Sequence, residues 1–312
     1  MIELDGVSRL FDGVPAVEGM SLRIERGEIC VIVGTSGCGK STTLKLLNRL
    51  LACSSGTIRI DGQDIAELDA ERLRRRMGYA IQHTGLFPHW TVARNIGVVP
   101  RLLEWPAPRI EARVRELLEL FGLPYASFAD KFPSQLSGGQ AQRVGVARAL
   151  AGDPEILLMD EPFGALDPIT RESLQNELLR IQARIHKTIV FVTHDLDEAL
   201  KLASRIVVMD RGRIVQHDTP SRLLEQPANA FVENLFGQGE RGLKRASLQR
   251  VGACMLPLQG AAPAVSVGAE DSLRQALSLM LWHRTGELCV RDAEGRALGV
   301  LPIGAVLQGP RA

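Results

Sequence analysis

The chain has 312 residues, of which 45% are hydrophobic, 23% charged and 4% aromatic, and its formal net charge is +1. That balance suits one large core with room for a smaller second unit. It argues against a nucleic-acid partner, which calls for a strong positive field or a base-stacking surface. Cys30, Cys38, Cys53, Cys254 and Cys289 are scattered and lack C-x-x-C spacing, so they read as reduced thiols in a cytosol. The start MIELDGVSRL has no apolar signal core, and no apolar run is long enough to span a bilayer. Any membrane path is therefore expected to come from other chains.

In chain order, Ile2–Leu10 and Ala16–Ile24 read as strands from their alternating or β-branched apolar positions. Glu28–Val33 is a short apolar run that stops at Gly34, and helix formers follow from Lys40 to Leu50. Thr57–Ile60 and the turn Asp61-Gly62 indicate a hairpin edge. Pro106–Phe121 carries Ile110, Val114, Leu117, Leu118 and Phe121 on one helical stripe, and Ser137–Ala151 reads as a further helix. Ile156–Met159, Thr188–Val192 and Ile206–Met209 are buried strands with helical segments between them. Strands alternating with helices predict an α/β core with a largely parallel sheet. The pattern loosens near Gly237–Lys244, which reads as a linker.

Gly34, Thr35, Ser36, Gly37, Cys38, Gly39, Lys40 and Ser41 fit the spacing G-x-x-x-x-G-K-[ST] between a strand and a helix, with Thr42 following. Glycines let the backbone curl so that several N–H groups face one anion, and the helix start adds its positive end. In this reading Lys40 reaches the β- and γ-phosphates of ATP and the Ser41 hydroxyl binds Mg²⁺. A glycine-rich turn that binds nothing is the bland alternative, which the flanking strand and helix disfavour. Asp160 and Glu161 end the apolar run Ile156–Met159. Ligands of α/β sheets gather at such strand ends. Asp160 is expected to hold Mg²⁺ through its water shell and Glu161 to polarise an attacking water. Leu136-Ser137-Gly138-Gly139-Gln140 has capping-box spacing at a helix start, and the same geometry lets Ser137 and the glycine N–H groups receive a phosphate.

GTSGCGKS, LSGGQ, ILLMDEP, the GALD at Gly164–Asp167 and His194, in that order, resemble the ATP-binding cassette (ABC) family over about Met1 to Phe236. The resemblance implies a P-loop NTPase fold of ABC ATPase type, a mixed sheet with a helical subdomain. It implies that Ser137, Gly138, Gly139 and Gln140 close over ATP held by a second copy of the chain, in a head-to-tail dimer. Phe11 falls where the family stacks an aromatic on adenine, or else is a core residue. Gln82 matches an Mg²⁺-sensing glutamine. The resemblance further implies that His194 touches the γ-phosphate and orients the water with Glu161, and that Asp167 stabilises the dimer. Ala141 departs from a common second glutamine. The loop Gln82–Asn95, with Phe87, Pro88, His89 and Trp90, is either a groove for a membrane subunit or local packing. The basic run Arg72, Arg74, Arg75 and Arg76 reads as a solvated helix face.

Leu136 follows Lys40 by 96 positions with no sustained heptads. One cassette without a membrane segment is expected to be a stand-alone ATPase subunit. MGYAIQHTGLFPHWTVARNI, LKLLNRL and LMDEPFGALDPITR resemble the ATPase subunits of glycine betaine and related quaternary-amine importers. That implies ATP hydrolysis on the cytoplasmic face of the inner membrane, with integral permease subunits and, indirectly, a periplasmic or lipid-anchored solute-binding protein. An importer for another small solute, or a soluble ATPase with a non-transport partner, stays open. Val265–Leu307 resembles one cystathionine-β-synthase-type (CBS) motif, and Leu248–Leu258 is a candidate remnant of another. Pro302 and Ala305 stand near the places where that motif holds a ribose, which argues against nucleotide binding there. The expected division is residues 1–236 for the ATPase domain, 237–247 for a linker and 248–312 for a small α+β CBS-like regulatory or dimerisation unit.

Overall fold

A computed structural model of the chain describes residues 1–81, 85–164 and 166–308. Its strands are β1 (Ile2–Phe11), β2 (Val14–Ile24), β3 (Ile29–Gly34), β4 (Ser55–Ile60), β5 (Gln63–Asp64), β6 (Met77–Ala80), β7 (Ile156–Asp160), β8 (Thr188–Val192), β9 (Arg205–Asp210), β10 (Arg213–Asp218), β11 (Ser266–Gly268), β12 (Glu287–Arg291) and β13 (Ala297–Pro302). The chain divides into two compact units, Met1–Thr219 and Pro220–Ala312.

In the first unit a six-stranded sheet has the order β10-β9-β3-β8-β7-β6. All its described pairings are parallel except β9 with β10. β3, β7 and β8 are buried along their whole length. Strands covered on both faces have no wet side, which is why they read as unbroken apolar runs. The edge strand β10 is half-buried and mixed in sequence, so its pattern is weak. A second sheet, β2-β1-β4-β5, pairs antiparallel throughout. Its last hairpin turns through Asp61 and Gly62, both at positive φ (52° and 80°), as the Asp-Gly pair predicted. Ile2, Leu4, Val7, Met20, Ile24, Ile58 and Ile60 from this sheet join Ile32, Leu158, Val190 and Val207 of the other in one core.

The helix predicted from Lys40 to Leu50 stops at Leu47, because Asn48 caps it and Arg49 turns left-handed at φ 53°. The stripe of Val114, Leu117 and Leu118 is buried in the helix Ala107–Leu120 as expected. The arginines expected on a solvated face are largely engaged: Arg75 pairs with Glu71, Arg74 donates to the Arg49 carbonyl, and Arg76 bridges Asp61 and Glu155.

The second unit begins seventeen residues before the expected boundary at 236/237. The stretch 237–247, read as a linker, carries regular structure. Most of it lies in the helix Arg241–Leu248, where Lys244 is buried and donates to the Phe236 carbonyl at 3.1 Å. The open composition of that stretch hid an amphipathic turn pattern. Farther on, β11-β12-β13 form a sheet on which the helix Leu273–His283 packs Leu273, Ala276 and Met280. Leu248–Leu258 contributes a 3₁₀ turn and two bridges, Arg250 to Ser272 and Leu256 to Val300.

Candidate active site

β3, β8 and β7 are neighbours in the sheet, and their carboxyl ends open on one crevice. β3 delivers the glycine-rich loop, β7 ends on Asp160, and β8 is followed by Thr193 and His194. Gly34, Gly37 and Gly39 have φ of 151°, 78° and 105°. A Cβ on Gly34 would lie 2.1 Å from the Met209 carbonyl oxygen, and one on Gly39 2.3 Å from that of Ala16. These two positions therefore require glycine both for conformation and for space.

Lys40 is buried at 7% exposure, and its Nζ donates to the carbonyls of Gly34 (2.9 Å) and Thr35 (3.0 Å). The ammonium is thus held at the curl of the loop. The helix Lys40–Leu47 has no side-chain cap, which leaves its first N–H groups facing the loop. The Ser41 hydroxyl donates to Asp160 Oδ1 at 2.9 Å. Burial raises the pKa of the Asp160 carboxyl. The Ser41 hydrogen bond opposes that rise, and the neighbouring Glu161 charge adds to it. A buried carboxylate beside a hydroxyl is an oxygen donor pair that suits Mg²⁺.

Glu161 adopts φ 46°, which is rare for a glutamate and costs backbone strain. Its N–H donates to the Val192 carbonyl at 2.9 Å, so the strained residue is pinned to β8. Its Oε2 then lies 3.1 Å from His194 Nδ1. Glu161 and His194 line one cleft of about 450 Å³ with Ser36, Lys40, Ser41 and Thr42. Glu161 is the acid in that lining and Lys40 its lysine.

Ser137, Gly138, Gly139 and Gln140 do not line this cleft. The Ser137 Oγ accepts from the Gln140 N–H at 3.3 Å, and Gln140 Oε1 accepts from the Ser137 N–H at 3.0 Å, so the predicted capping box forms. Ser137 itself stays exposed. Asp167 caps the next long helix, Pro168–Ile185, by accepting from the Thr170 N–H at 3.0 Å. That hydrogen bonding from Thr170 lowers the Asp167 pKa.

Phe11 is 42% exposed with the Arg9 guanidinium 4.7 Å over its ring, so it is not a core residue. It lies outside the phosphate cleft. Its strand partner Val14 shares a separate depression with Gly37 of the loop. Gln82 lies outside the described residues. Of its loop, the Phe87 and Trp90 rings pack at a 43° tilt with centroids 4.3 Å apart, and buried Asn95 organises the turn: its Nδ2 donates to the Phe87, Trp90 and Thr91 carbonyls, and its Oδ1 accepts from the Phe87 N–H. Local packing thus accounts for much of the apolar character, although Phe87 remains 39% exposed. Asn95 and Arg171, which ties Asp195 to the Leu166 carbonyl, were missed by sequence reasoning. Neither stands in a motif whose spacing signals a role.

Cys38 lies inside the phosphate loop, where alkylation would block ATP only if its thiol were accessible. It is 2% exposed, and its Sγ lies 2.7 Å from where a Gly34 Cβ would sit. Burial pushes its pKa up, against the opposing pull of Lys40. A thiol of that kind holds little thiolate at neutral pH. Iodoacetamide is therefore expected to modify Cys53, the only cysteine of the five that is not buried, well before Cys38. Mass spectrometry of the native protein over time checks this, and Cys38 reacting first would contradict it.

A phosphate loop at the end of a buried parallel strand, facing an acid pair on the next-but-one strand, defines a P-loop nucleotide-binding protein. Residues 17–164 match the family profile described as ABC transporter. The chain is 50% identical over 301 residues to the glycine betaine uptake system ATP-binding protein YehX of Escherichia coli K12, covering 96% of this chain and 97% of that protein. It is 48% identical over 304 residues to the glycine betaine/carnitine/choline transport ATP-binding protein OpuCA of Bacillus subtilis 168, covering 97% of this chain and 78% of that one. Among solved structures, the ATP-binding cassette MJ0796, a dimer in a post-hydrolysis state bound to ADP and Pi, is 33% identical with a TM-score of 0.64, covering 70% of this chain and 99% of that one. The chain belongs to the ABC transporter ATPase family. No helix among the described residues is long and apolar enough to cross a membrane.

Proposed function

We propose that this chain is the ATP-hydrolysing subunit of an importer for glycine betaine or a related quaternary-amine osmoprotectant. One observation carries the solute class: relatives named for glycine betaine uptake match 96–97% of the chain, beyond the cassette and through the second unit. Two copies bind two ATP molecules head to tail, and each site is completed by Ser137–Gln140 of the other copy. Within one copy, the loop Gly34–Ser41 and Thr42 cradle the phosphates, and Lys40 neutralises the terminal ones. Phe11 offers a face for adenine. Ser41 and Asp160, with Gln82, are the residues that would hold Mg²⁺, which supplies charge neutralisation between phosphates when bound.

Glu161 accepts a hydrogen bond from the attacking water and draws its proton. His194, held against Glu161, donates toward the γ-phosphate, and Asp167 packs at the dimer seam. The chemistry is positioning and charge stabilisation around a loose phosphoryl transfer. Closure of the dimer acts on integral permease subunits through the loop 82–95, at the cytoplasmic face of the membrane. A solute-binding protein outside the membrane supplies the substrate indirectly.

Within the second compact unit, Pro220–Ala312, residues 248–312 are read as one CBS-like motif. Its helix, strands and the turn at Glu294-Gly295 support that reading. Uptake of radiolabelled glycine betaine, choline and carnitine by vesicles holding the assembled transporter tests the function. Saturable, ATP-dependent uptake of at least one of the three is expected. Failure to transport any of them while another solute stimulates ATP turnover would reject the solute class.

A further inference from the structure

We propose that Arg171 is a positioning residue that ties the Ser137–Gln140 surface of one subunit to the His194 of the same subunit, and so couples the two ATP sites of the dimer. The proposal rests on the reading of Ser137–Gln140 and His194 above and extends it to a residue with no assigned role.

Arg171 sits in the first turn of the helix Pro168–Ile185, and its own N–H donates to the Asp167 carbonyl at 2.9 Å. Its guanidinium spans two loops. Nη2 donates to the Leu166 carbonyl at 3.1 Å, and Nη1 donates to Asp195 Oδ2 at 3.1 Å. Arginine presents these donors in one rigid plane, so the two loops are held at a set separation. Asp195 directly follows His194. Its other oxygen accepts from the Glu198 N–H at 3.1 Å, and its own N–H donates to Thr193 Oγ1 at 3.0 Å. The same long helix grips this segment again, where Gln175 Nε2 donates to buried Glu198 Oε1 at 3.1 Å. The backbone carrying His194 is thus held at two points by the helix that begins at Asp167.

On the other side, the helix start packs against the segment Ser137–Gln140 at a point that leaves no room for a side chain on Gly139. A Cβ on Gly139 would lie 2.5 Å from the Thr170 methyl. Close-packed contacts transmit displacement rather than absorb it. Closing Ser137–Gln140 over the partner's nucleotide therefore pushes Thr170 and Arg171, and Arg171 carries the movement to Asp195 and His194. Both partners of the Arg171–Asp195 pair are about one-third exposed, so the pair adds little stability by itself. The guanidinium Nε is buried with no hydrogen-bond partner among the described residues. That placement favours reach to both loops over full satisfaction of the donors.

The test compares Arg171→Met and Asp195→Asn in the full-length protein by the ATP dependence of steady-state turnover. Asn preserves the helix cap and removes the charge. The wild type is expected to show a Hill coefficient approaching the number of coupled sites, two. Both variants should lower it towards one and cut turnover by about tenfold, while affinity for a fluorescent ATP analogue and Tm change little. A wild-type Hill coefficient of one, or unchanged cooperativity in both variants, overturns the proposal. His194→Ala is measured alongside. Full turnover in His194→Ala sinks the reading of His194. Lost turnover there, with wild-type behaviour in both coupling variants, sinks only the role of Arg171.

Discussion

Glu161→Gln is expected to bind ATP as tightly as the wild type and to hydrolyse it about a thousandfold more slowly, the usual scale for removing a general base. The physical basis is local. Glu161 is forced to φ 46° and pinned by its N–H to Val192, which aims its carboxylate at His194 rather than into solvent. Glutamine keeps the size and the hydrogen-bonding reach but cannot accept a proton at neutral pH. With its ATP uncleaved, the closed dimer persists. Size-exclusion chromatography with ATP should therefore show a lasting dimer in the variant, and phosphate release should be near background. Turnover within a few-fold of wild type would remove Glu161 from the chemistry. A parallel loss of ATP binding would recast it as a structural residue of the phosphate cleft.

Ser137→Arg separates binding from closure. Ser137 is exposed and lies outside the cleft that holds Lys40, so the loop Gly34–Ser41 is left intact. Losing the hydroxyl removes one helix cap, a cost of about 1 kcal/mol that a chain of this size tolerates. The bulky cation, however, stands where the reading puts the partner's γ-phosphate. ATP affinity of the single subunit should be unchanged, nucleotide-dependent dimerisation should vanish, and turnover should fall by about a hundredfold or more. Light scattering with and without ATP reads the dimer directly. A Ser137→Arg protein that still dimerises and turns over ATP would show that each chain completes its own site.

These expectations draw unequally on sequence and structure. The buried strands β3, β7 and β8 were legible because a sheet covered on both faces demands continuous apolar runs. The glycine-lysine-serine spacing and the acids after β7 were legible because phosphate and metal chemistry allow few residue types at such positions. Local signals also predicted the capping box at Ser137 and the turn at Asp61-Gly62, since both involve neighbours in the chain.

What sequence spacing could not reach was long-range. The edge strand β10 is half-buried and mixed, so nothing in its pattern marks it as a sheet member. The helix Arg241–Leu248 lies in a stretch whose glycines and charges read as open chain, and the buried contact of Lys244 with the Phe236 carbonyl appears only after folding. Whether the Cys38 thiol is accessible could not be read from its place in the loop, and packing against Gly34 closes it off.

By itself, then, the sequence determined the nucleotide chemistry of this chain, because each of its motifs is a short local segment whose residues must be adjacent to work. Only the tertiary structure decided how those segments meet. It put Ser41 against Asp160 across 119 positions, strained Glu161 toward His194, and ran Arg171 between the Leu166 and Asp195 loops. The physical reason is that hydrogen bonds between distant loops depend on strand order and helix placement, which no local spacing encodes.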